Sequence, residues 1–398
     1  MSRDCDDAVW DVLVVGGGPA GATAATDLAR SGRRVLLLDR AGRIKPCGGA
    51  IPPRLLQDFE VPEHLLVARI DSARMVSPSN RRIDMPIESG VVGMVDREVF
   101  DEWLRERARS SGCERVSGEF VQATREPSGG YSVCYRVESG DCLPQERVLQ
   151  ARVIIGADGA RSRVARQCIA SARRARYVAA YHEIVRTPSE AAPARCDVYY
   201  CGRISPDFYG WVFPHGATTS VGVGSARRGF SLRRATDELR REARLTEADT
   251  LRREGAPIPL HPLRRWDDGR GVVLAGDAAG VVAPASGEGI YYAMCSGRLA
   301  AEAVNAYLEN GDASVLRTAR RRFMRAHGRV FWVLGMMQWF WYRSDARRER
   351  FVSMCRDPDV QRLTWEGYLH KRLVRARPMA HARIFVKDMA HLLGLVRV

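Results

Sequence analysis

Lysine is nearly absent. Lys45, Lys371 and Lys387 are the only three in a chain of 398 residues whose formal net charge is +15. The positive charge is therefore almost all arginine. Such an excess draws a protein toward anionic surfaces, nucleic acid or membrane, or simply reflects genome base composition. No nucleic-acid-binding motif accompanies it, so nucleic acid is not an expected partner. Paired cysteines are missing too. Ten cysteines occur without a single CxxC, which argues against a zinc site and a redox dithiol. The stretch from Met1 to Ala8 is short and polar, so no secretory signal is expected there. Scattered cysteines then predict a reducing, cytoplasmic setting. The longest apolar stretch, Val330 to Tyr342, is interrupted by Gly335 and Gln338. It falls short of the ~20 residues that span a bilayer and reads as a buried or an interfacial helix. No internal repeat is visible, and there is one complete dinucleotide fingerprint rather than two.

That fingerprint is the most informative segment. An apolar run from Asp11 to Val15 ends in Gly16-x-Gly18-x-x-Gly21, a helix pattern follows from Ala22 to Ala29, and a second apolar run from Arg34 to Leu38 closes in Asp39. Gly16 permits the tight turn, Gly18 lets a pyrophosphate approach the backbone, and Gly21 lets the helix pack on the strand. The helix N-terminus offers free N–H groups and a partial positive charge to phosphate. Asp39 can accept hydrogen bonds from a ribose diol. Pro19 and Ala20 within the turn, and Arg40 after the acid, join the candidate cofactor contacts.

Two further strand–turn segments follow in order. Ile155-Gly156-Ala157-Asp158-Gly159 is the first. The second is Ala275-Gly276-Asp277-Ala278-Ala279, with Gly287, Gly289 and Ile290 behind it. A carboxylate after a buried strand can bind a polyol, and glycines after it let a helix N-terminus approach a flat ring. Each alone reads equally as a strand–turn–helix cap. Their order resembles the FAD-binding fold of para-hydroxybenzoate hydroxylase-like flavoproteins. The resemblance implies that Gly16, Gly18, Gly21 and Asp39 hold the ADP half of FAD and Asp277 the ribityl-phosphate half. It adds Asp158, and it gives Arg97 the role of the arginine near the cofactor.

Lys45-Pro46-Cys47-Gly48-Gly49-Ala50-Ile51 and Tyr209-Gly210-Trp211-Val212-Phe213-Pro214 narrow the family. Both are similar to segments of geranylgeranyl reductases, closest to the branch acting in chlorophyll and bacteriochlorophyll synthesis. Asp39 stands where many members carry Glu. The resemblance implies a flavin-dependent reductase that saturates isolated double bonds of a geranylgeranyl chain, as free diphosphate or pigment ester, with NADPH as donor. Cys47, Gly48 and Gly49 would lie at the flavin ring, and Tyr209, Trp211 and Phe213 would line the substrate cavity. An isolated alkene has no carbonyl to take up charge, so its reduction needs hydride from reduced flavin and a proton from an acid in a dry pocket. Cys47 is the candidate acid or a pocket wall, with Tyr209 or an ordered water as the alternative proton source. The plain alternatives are packing: a small residue in a glycine loop for Cys47, a half-buried strand for the aromatic row. His215 reads as a surface or turn histidine. Two other functions fit the same fold, a FAD-dependent monooxygenase and a non-catalytic prenyl-carrying protein.

The expected fold is α/β, a FAD-binding Rossmann-like domain with an inserted β-rich substrate domain and a helical C-terminal tail. The expected boundaries are 9–72, 96–175 and 263–311 for the FAD domain, 73–95 and 176–262 for the β-rich domain, and 312–398 for the tail. Residues 114–122 and 131–138 read as a hairpin about Gly129-Gly130. Trp332, Trp339 and Trp341, flanked by Arg325, Arg329, Arg343, Arg347 and Arg348, point to a membrane surface. Peripheral attachment at the inner or photosynthetic membrane, beside a pigment-esterifying synthase, is the corresponding expectation for location and partner.

Overall fold

Parallel β-pairing organises the N-terminal part of the computed structural model, which describes residues 9–40, 44–88, 90–137, 145–188 and 194–371. Trp10–Val15 lies between Val35–Asp39 and Gln145–Gly156, parallel to both, with Val12 opposite Val35 on one side and Val153 on the other. Glu114–Ser117 extends the sheet beyond Val35–Asp39, and Val272–Leu274 adds in parallel to Gln145–Gly156. Val12, Leu13 and Val14 are fully buried, as strands covered on both faces must be. Gln145–Gly156 is long enough to serve two neighbours. Its first half pairs antiparallel with Tyr131–Val137, and its last residues pair with Trp10–Val15.

The chain divides into two compact units. The first comprises Met1–Lys45, Glu98–Tyr177 and Pro257–Phe331. It contains this sheet and the helices Pro19–Arg30 and Ile290–Asn310. Those helices approach very closely: a side chain at Gly297 would overlap the carbonyl of Ala20.

The second unit comprises Pro46–Arg97, Val178–Ala256 and Trp332–Val398. Its seven-stranded sheet runs in the order Thr250–Pro259, Tyr177–Arg186, Thr218–Ser225, Gly210–His215, Arg195–Tyr199, Ser72–Val76, Arg82–Pro86. A three-stranded sheet is built from Ala50–Ile51, Val92–Val95 and Leu66–Ile70. Helix Leu232–Glu242 covers part of the larger sheet. Its buried Arg240 donates to Glu183 Oε2 at 2.6 Å and to the carbonyls of Leu245 and Ala248 at 3.0 and 2.6 Å. A buried guanidinium is tolerated only when so fully paired.

Three expectations need correction. Residues 46–72 belong to the second unit and not to the FAD-binding one, because their strands pair with Val92–Val95. Ser72–Val76 runs parallel to Arg195–Tyr199. The region after 312 is not one separate tail: Arg317–Trp341 is a single helix whose residues divide between the units at Phe331. The expected hairpin strand at 114–122 is two strands. Glu119–Arg125 does pair with Tyr131–Val137, but Glu114–Ser117 joins the parallel edge. Residues 372–398, part of the expected tail, lie outside the described residues.

Candidate functional site

In the first unit the glycine turn has the shape its sequence demands. Gly16 has φ +103°, and a side chain there would run into the backbone of Ala157 and Asp158. A side chain on Gly21 would overlap the Gly16 carbonyl, so helix and strand touch backbone to backbone. Gly18 is different. Nothing in the protein lies within 4 Å of where its Cβ would stand. That open space adjoins the N-terminus of helix Pro19–Arg30, whose cap residue is Gly18 itself and which no side chain caps. Helix Ile290–Asn310 begins the same way, on Gly289 and without a side-chain cap. Two bare helix N-termini in one unit suit a ligand with a pyrophosphate and an electron-rich ring edge.

Carboxylates flank these termini. Asp39 Oδ2 lies 3.4 Å from Arg105 Nη1, and a Cβ on Gly17 would meet both side chains. Burial pushes the Asp39 carboxyl above the usual carboxylate range, against the pull of the Gly17 N–H and Arg105. Leu37, Arg40, Glu102, Arg105 and Arg115 border a cavity of about 340 Å³ beside it. Asp277 is nearly buried and pairs with Lys45 Nζ at 2.5 Å. Asp158 Oδ2 accepts from the N–H groups of Arg163 and Val164 at 2.6 and 3.3 Å, the first two of helix Arg163–Cys168, whose N-cap is Ser162. Its other oxygen is buried without a hydrogen-bond partner among the described residues, and burial raises its pKa. A space at Gly18, two uncapped helices and an orphaned carboxylate oxygen fit a bound FAD. Lys45 opens the segment that carries the family resemblance, but neither it nor Arg105 is marked as a partner of an acid by any local pattern, because those partners lie 232 and 66 residues away.

The second unit brings together the other two motifs. Tyr209, Trp211, Phe213 and His215 alternate onto one face of the strand Gly210–His215. Their rings follow one another, with centroids 6.1 Å apart from Tyr209 to Trp211 and 6.5 Å from Trp211 to Phe213. Tyr209 stacks on Phe208 at 4.2 Å. The Cys47-Gly48-Gly49 loop packs against this row: a Cβ on Gly48 would stand 3.1 Å from the Phe213 ring, and one on Gly49 would meet His215 Nε2. Gly49 has φ +68°, as its turn requires. Cys47 is half-buried, and its Sγ accepts weakly from the Gly49 N–H at 3.4 Å. Tyr209 is 8% exposed, and burial drives its phenol far above the ordinary range. His215 is not the surface histidine expected. It is half-buried, Nδ1 lies 3.0 Å from the Phe213 carbonyl oxygen, and burial lowers its pKa. Arg97 is 5% exposed, which excludes a surface role.

Helix Arg317–Trp341 is neither fully buried nor long and apolar enough to cross a membrane, and no other helix among the described residues is. Trp341, expected at the same surface, is buried at 7%, whereas Trp332, Met336 and Trp339 are 68%, 46% and 63% exposed. Spacings of four and three put them on one face. Arg343, just past the helix end, lies over the Trp339 ring at 5.1 Å. Arg348, expected among the flanking charges, is instead buried against Asp345 and the carbonyls of Pro206 and Tyr342.

Residues 11–159 match the family model of FAD dependent oxidoreductases, and residues 231–390 match that of lycopene cyclase proteins. A crystal structure of a geranylgeranyl bacteriochlorophyll reductase-like protein from Thermoplasma acidophilum shares the fold. Its TM-score is 0.79 at 22% identity, over 94% of this chain and 99% of that one. Fold, fingerprint and turn geometry together define a FAD-dependent oxidoreductase. Within that class, the chain belongs to the geranylgeranyl diphosphate reductase family. It is 56% identical to the Rhodobacter capsulatus geranylgeranyl diphosphate reductase, over 97% of this chain and 98% of that protein. It is 40% identical to the chloroplastic enzyme of Oryza sativa, over 96% of this chain and 86% of the other.

The open space at Gly18 yields a sharp prediction. A Cβ at position 18 meets no protein atom, so Gly18→Val should give an apoprotein that folds with an unchanged melting temperature yet purifies without flavin. Asp277→Ala should keep flavin but weaken its affinity by about 10- to 150-fold, the worth of a hydrogen bond to a charged acceptor. Titration of apoprotein with FAD, followed by flavin fluorescence, checks both. Wild-type affinity in both variants would contradict the assignment.

Proposed function

We propose that this chain reduces isolated double bonds of a geranylgeranyl chain toward phytyl, in the synthesis of the chlorophyll or bacteriochlorophyll tail. The observation that carries the reading is the packing of the Cys47-Gly48-Gly49 loop on the Tyr209–His215 row within one unit. Nearly full-length kinship to reductases of that name supports it.

Bound FAD supplies hydride, and NADPH is the donor this reading adopts. The protein has the remaining tasks. Gly16, Gly18 and Gly21 with Pro19 and Ala20 seat the pyrophosphate, Asp39 with Arg40 and Arg105 the ribose end, and Asp277 with Lys45 the ribityl chain. Asp158, Arg97, Gly287, Gly289 and Ile290 complete the cofactor contacts. Trp211 and Phe213 form an apolar wall for the prenyl chain and exclude water, which protects hydride and any cationic character at carbon. Tyr209 serves as wall as well. Surrendering its proton would leave a buried phenolate, which its raised pKa opposes. The proton then comes from Cys47, half-buried at the edge of the row. His215, held neutral at pH 7 by burial, braces the loop.

The docking surface follows from the exposed Trp332–Met336–Trp339 face. Indoles favour the water–lipid boundary, and Arg343, with Arg325 and Arg329 exposed on the same helix, suits anionic headgroups. A peripheral seat would present a lipid-borne pigment to the site, beside the synthase that esterifies it.

Purified enzyme with NADPH should be offered geranylgeranyl diphosphate and, separately, geranylgeranylated bacteriochlorophyll. Mass spectrometry should find successive additions of two hydrogens to at least one, and no addition to either would sink the reading. Cys47→Ala should slow reduction by about 10²–10⁴-fold, the usual worth of a positioned proton donor, with flavin content intact. A wild-type rate in that variant would move the proton source elsewhere. Flotation with anionic liposomes tests the docking face. Trp332→Ser with Trp339→Ser should abolish it while reduction of soluble diphosphate persists, and unchanged flotation would remove the face from the account.

A further inference from the structure

Ser220, His182 and Glu254 form a buried polar chain beside the aromatic row, and neither the fingerprint nor the family motifs include these three residues. Trp211 and His182 stand opposite Gly222 on its two neighbouring strands. Cross-strand partners share a face, so all three point to the same side of the sheet. Gly222 has no side chain, and the Trp211 indole fills the gap. A Cβ there would collide with the indole and with His182 Cβ. Lying in this notch, Trp211 Nε1 reaches Ser220 Oγ at 3.1 Å. Ser220 Oγ lies 2.9 Å from His182 Nδ1, and His182 Nε2 lies 3.0 Å from Glu254 Oε2. Ser220 is fully buried and His182 is 3% exposed.

The two ends of the chain fix the direction of their bonds. An indole N–H can only donate, so Ser220 accepts from Trp211, and a neutral His182 that donates from Nε2 takes the Ser220 proton at Nδ1. His182 is then protonated at Nε2 and donates to Glu254. Burial alone would raise the Glu254 carboxyl, but the bond to His182 and the nearby Arg252, 3.0 Å away, hold it below its usual range. It is therefore an ionised acceptor at neutral pH. The chain has the composition of a Ser–His–acid triad but cannot act as one, because the serine oxygen is sealed from solvent and occupied by the indole.

We propose that Glu254, His182 and Ser220 are positioning residues that lock the Trp211 indole over Gly222. They thereby fix how far the prenyl chain slides along the aromatic row and which of its double bonds are reduced. This rests on the reading of that row as the substrate wall. The cost of a loose indole would fall on substrate binding and product pattern rather than on the chemical step. Each bond in the chain satisfies a group that would otherwise be buried and unpaired, so breaking one frees the ring to rotate.

The test uses holoenzyme labelled with 5-fluorotryptophan, whose Trp211 fluorine resonance is identified by its loss in Trp211→Phe. Ser220→Ala should shift or broaden that resonance and leave the others in place. It should raise KM about 2- to 10-fold, with kcat little changed and flavin content intact, and enrich partly reduced products. Ser220→Thr, which keeps the hydroxyl, should restore the resonance and the product pattern. An unmoved resonance with wild-type KM and products in Ser220→Ala overturns the positioning chain. If Trp211→Phe changes the products and Ser220→Ala does not, the chain alone falls and the aromatic wall stands. If Trp211→Phe leaves KM and products untouched, the wall reading fails and takes the proposal with it.

Discussion

Backbone brought against backbone at Gly16 and Gly21 is the constraint on which the first unit rests. The helix Pro19–Arg30 can lie on the parallel strands only because neither position carries a side chain, and the close fit of Gly297 on Ala20 continues the same economy of atoms. The helix N-terminus consequently ends on the open space at Gly18. An anion placed there would meet N–H groups and a helix dipole with no side chain intervening. Asp39 and Asp277 then need cations of their own, and Arg105 and Lys45 supply them. The candidate cofactor contacts are thus set by how tightly the unit packs.

Glycine has the complementary use in the second unit. There it makes room for rings and not for a phosphate. Gly222 is the notch for Trp211, Gly48 admits the edge of Phe213, and Gly49 leaves space for His215. Large aromatics are otherwise difficult to line up along one strand face, because each needs the area of a neighbour. The alternation of the row and the glycines opposite it form one device, an apolar surface whose central indole is hydrogen-bonded from the neighbouring strand by Ser220.

The legible part of the sequence was the local part. The turn at Gly16–Gly21, the acid at Asp39 and the alternation Tyr209–Trp211–Phe213 lie within single elements, so spacing alone reveals them. Residues 46–72 fall in the second unit although they follow the fingerprint directly, because nothing local names the sheet a strand joins. The pairing of Lys45, together with Arg105, Ser220, His182 and Glu254 themselves, stays hidden for a related reason. Each acquires its meaning from a partner on another strand or helix, through a register no motif encodes. His215 was read as a turn residue because the loop it supports, Cys47–Gly49, lies more than a hundred residues earlier in the chain. Arg348 looked like one more surface cation in a basic run, and only tertiary packing buries it.

The central claim is that this fold passes hydride to carbon and not oxygen to a substrate. The most direct test is an anaerobic single turnover, in which reduced flavoprotein is mixed with geranylgeranyl diphosphate and the flavin absorbance is followed. The account predicts flavin reoxidation without oxygen, dependent on the prenyl chain, and a product heavier by two hydrogens for each flavin reoxidised. Reoxidation only after oxygen is admitted, with a product that has gained oxygen, would contradict it.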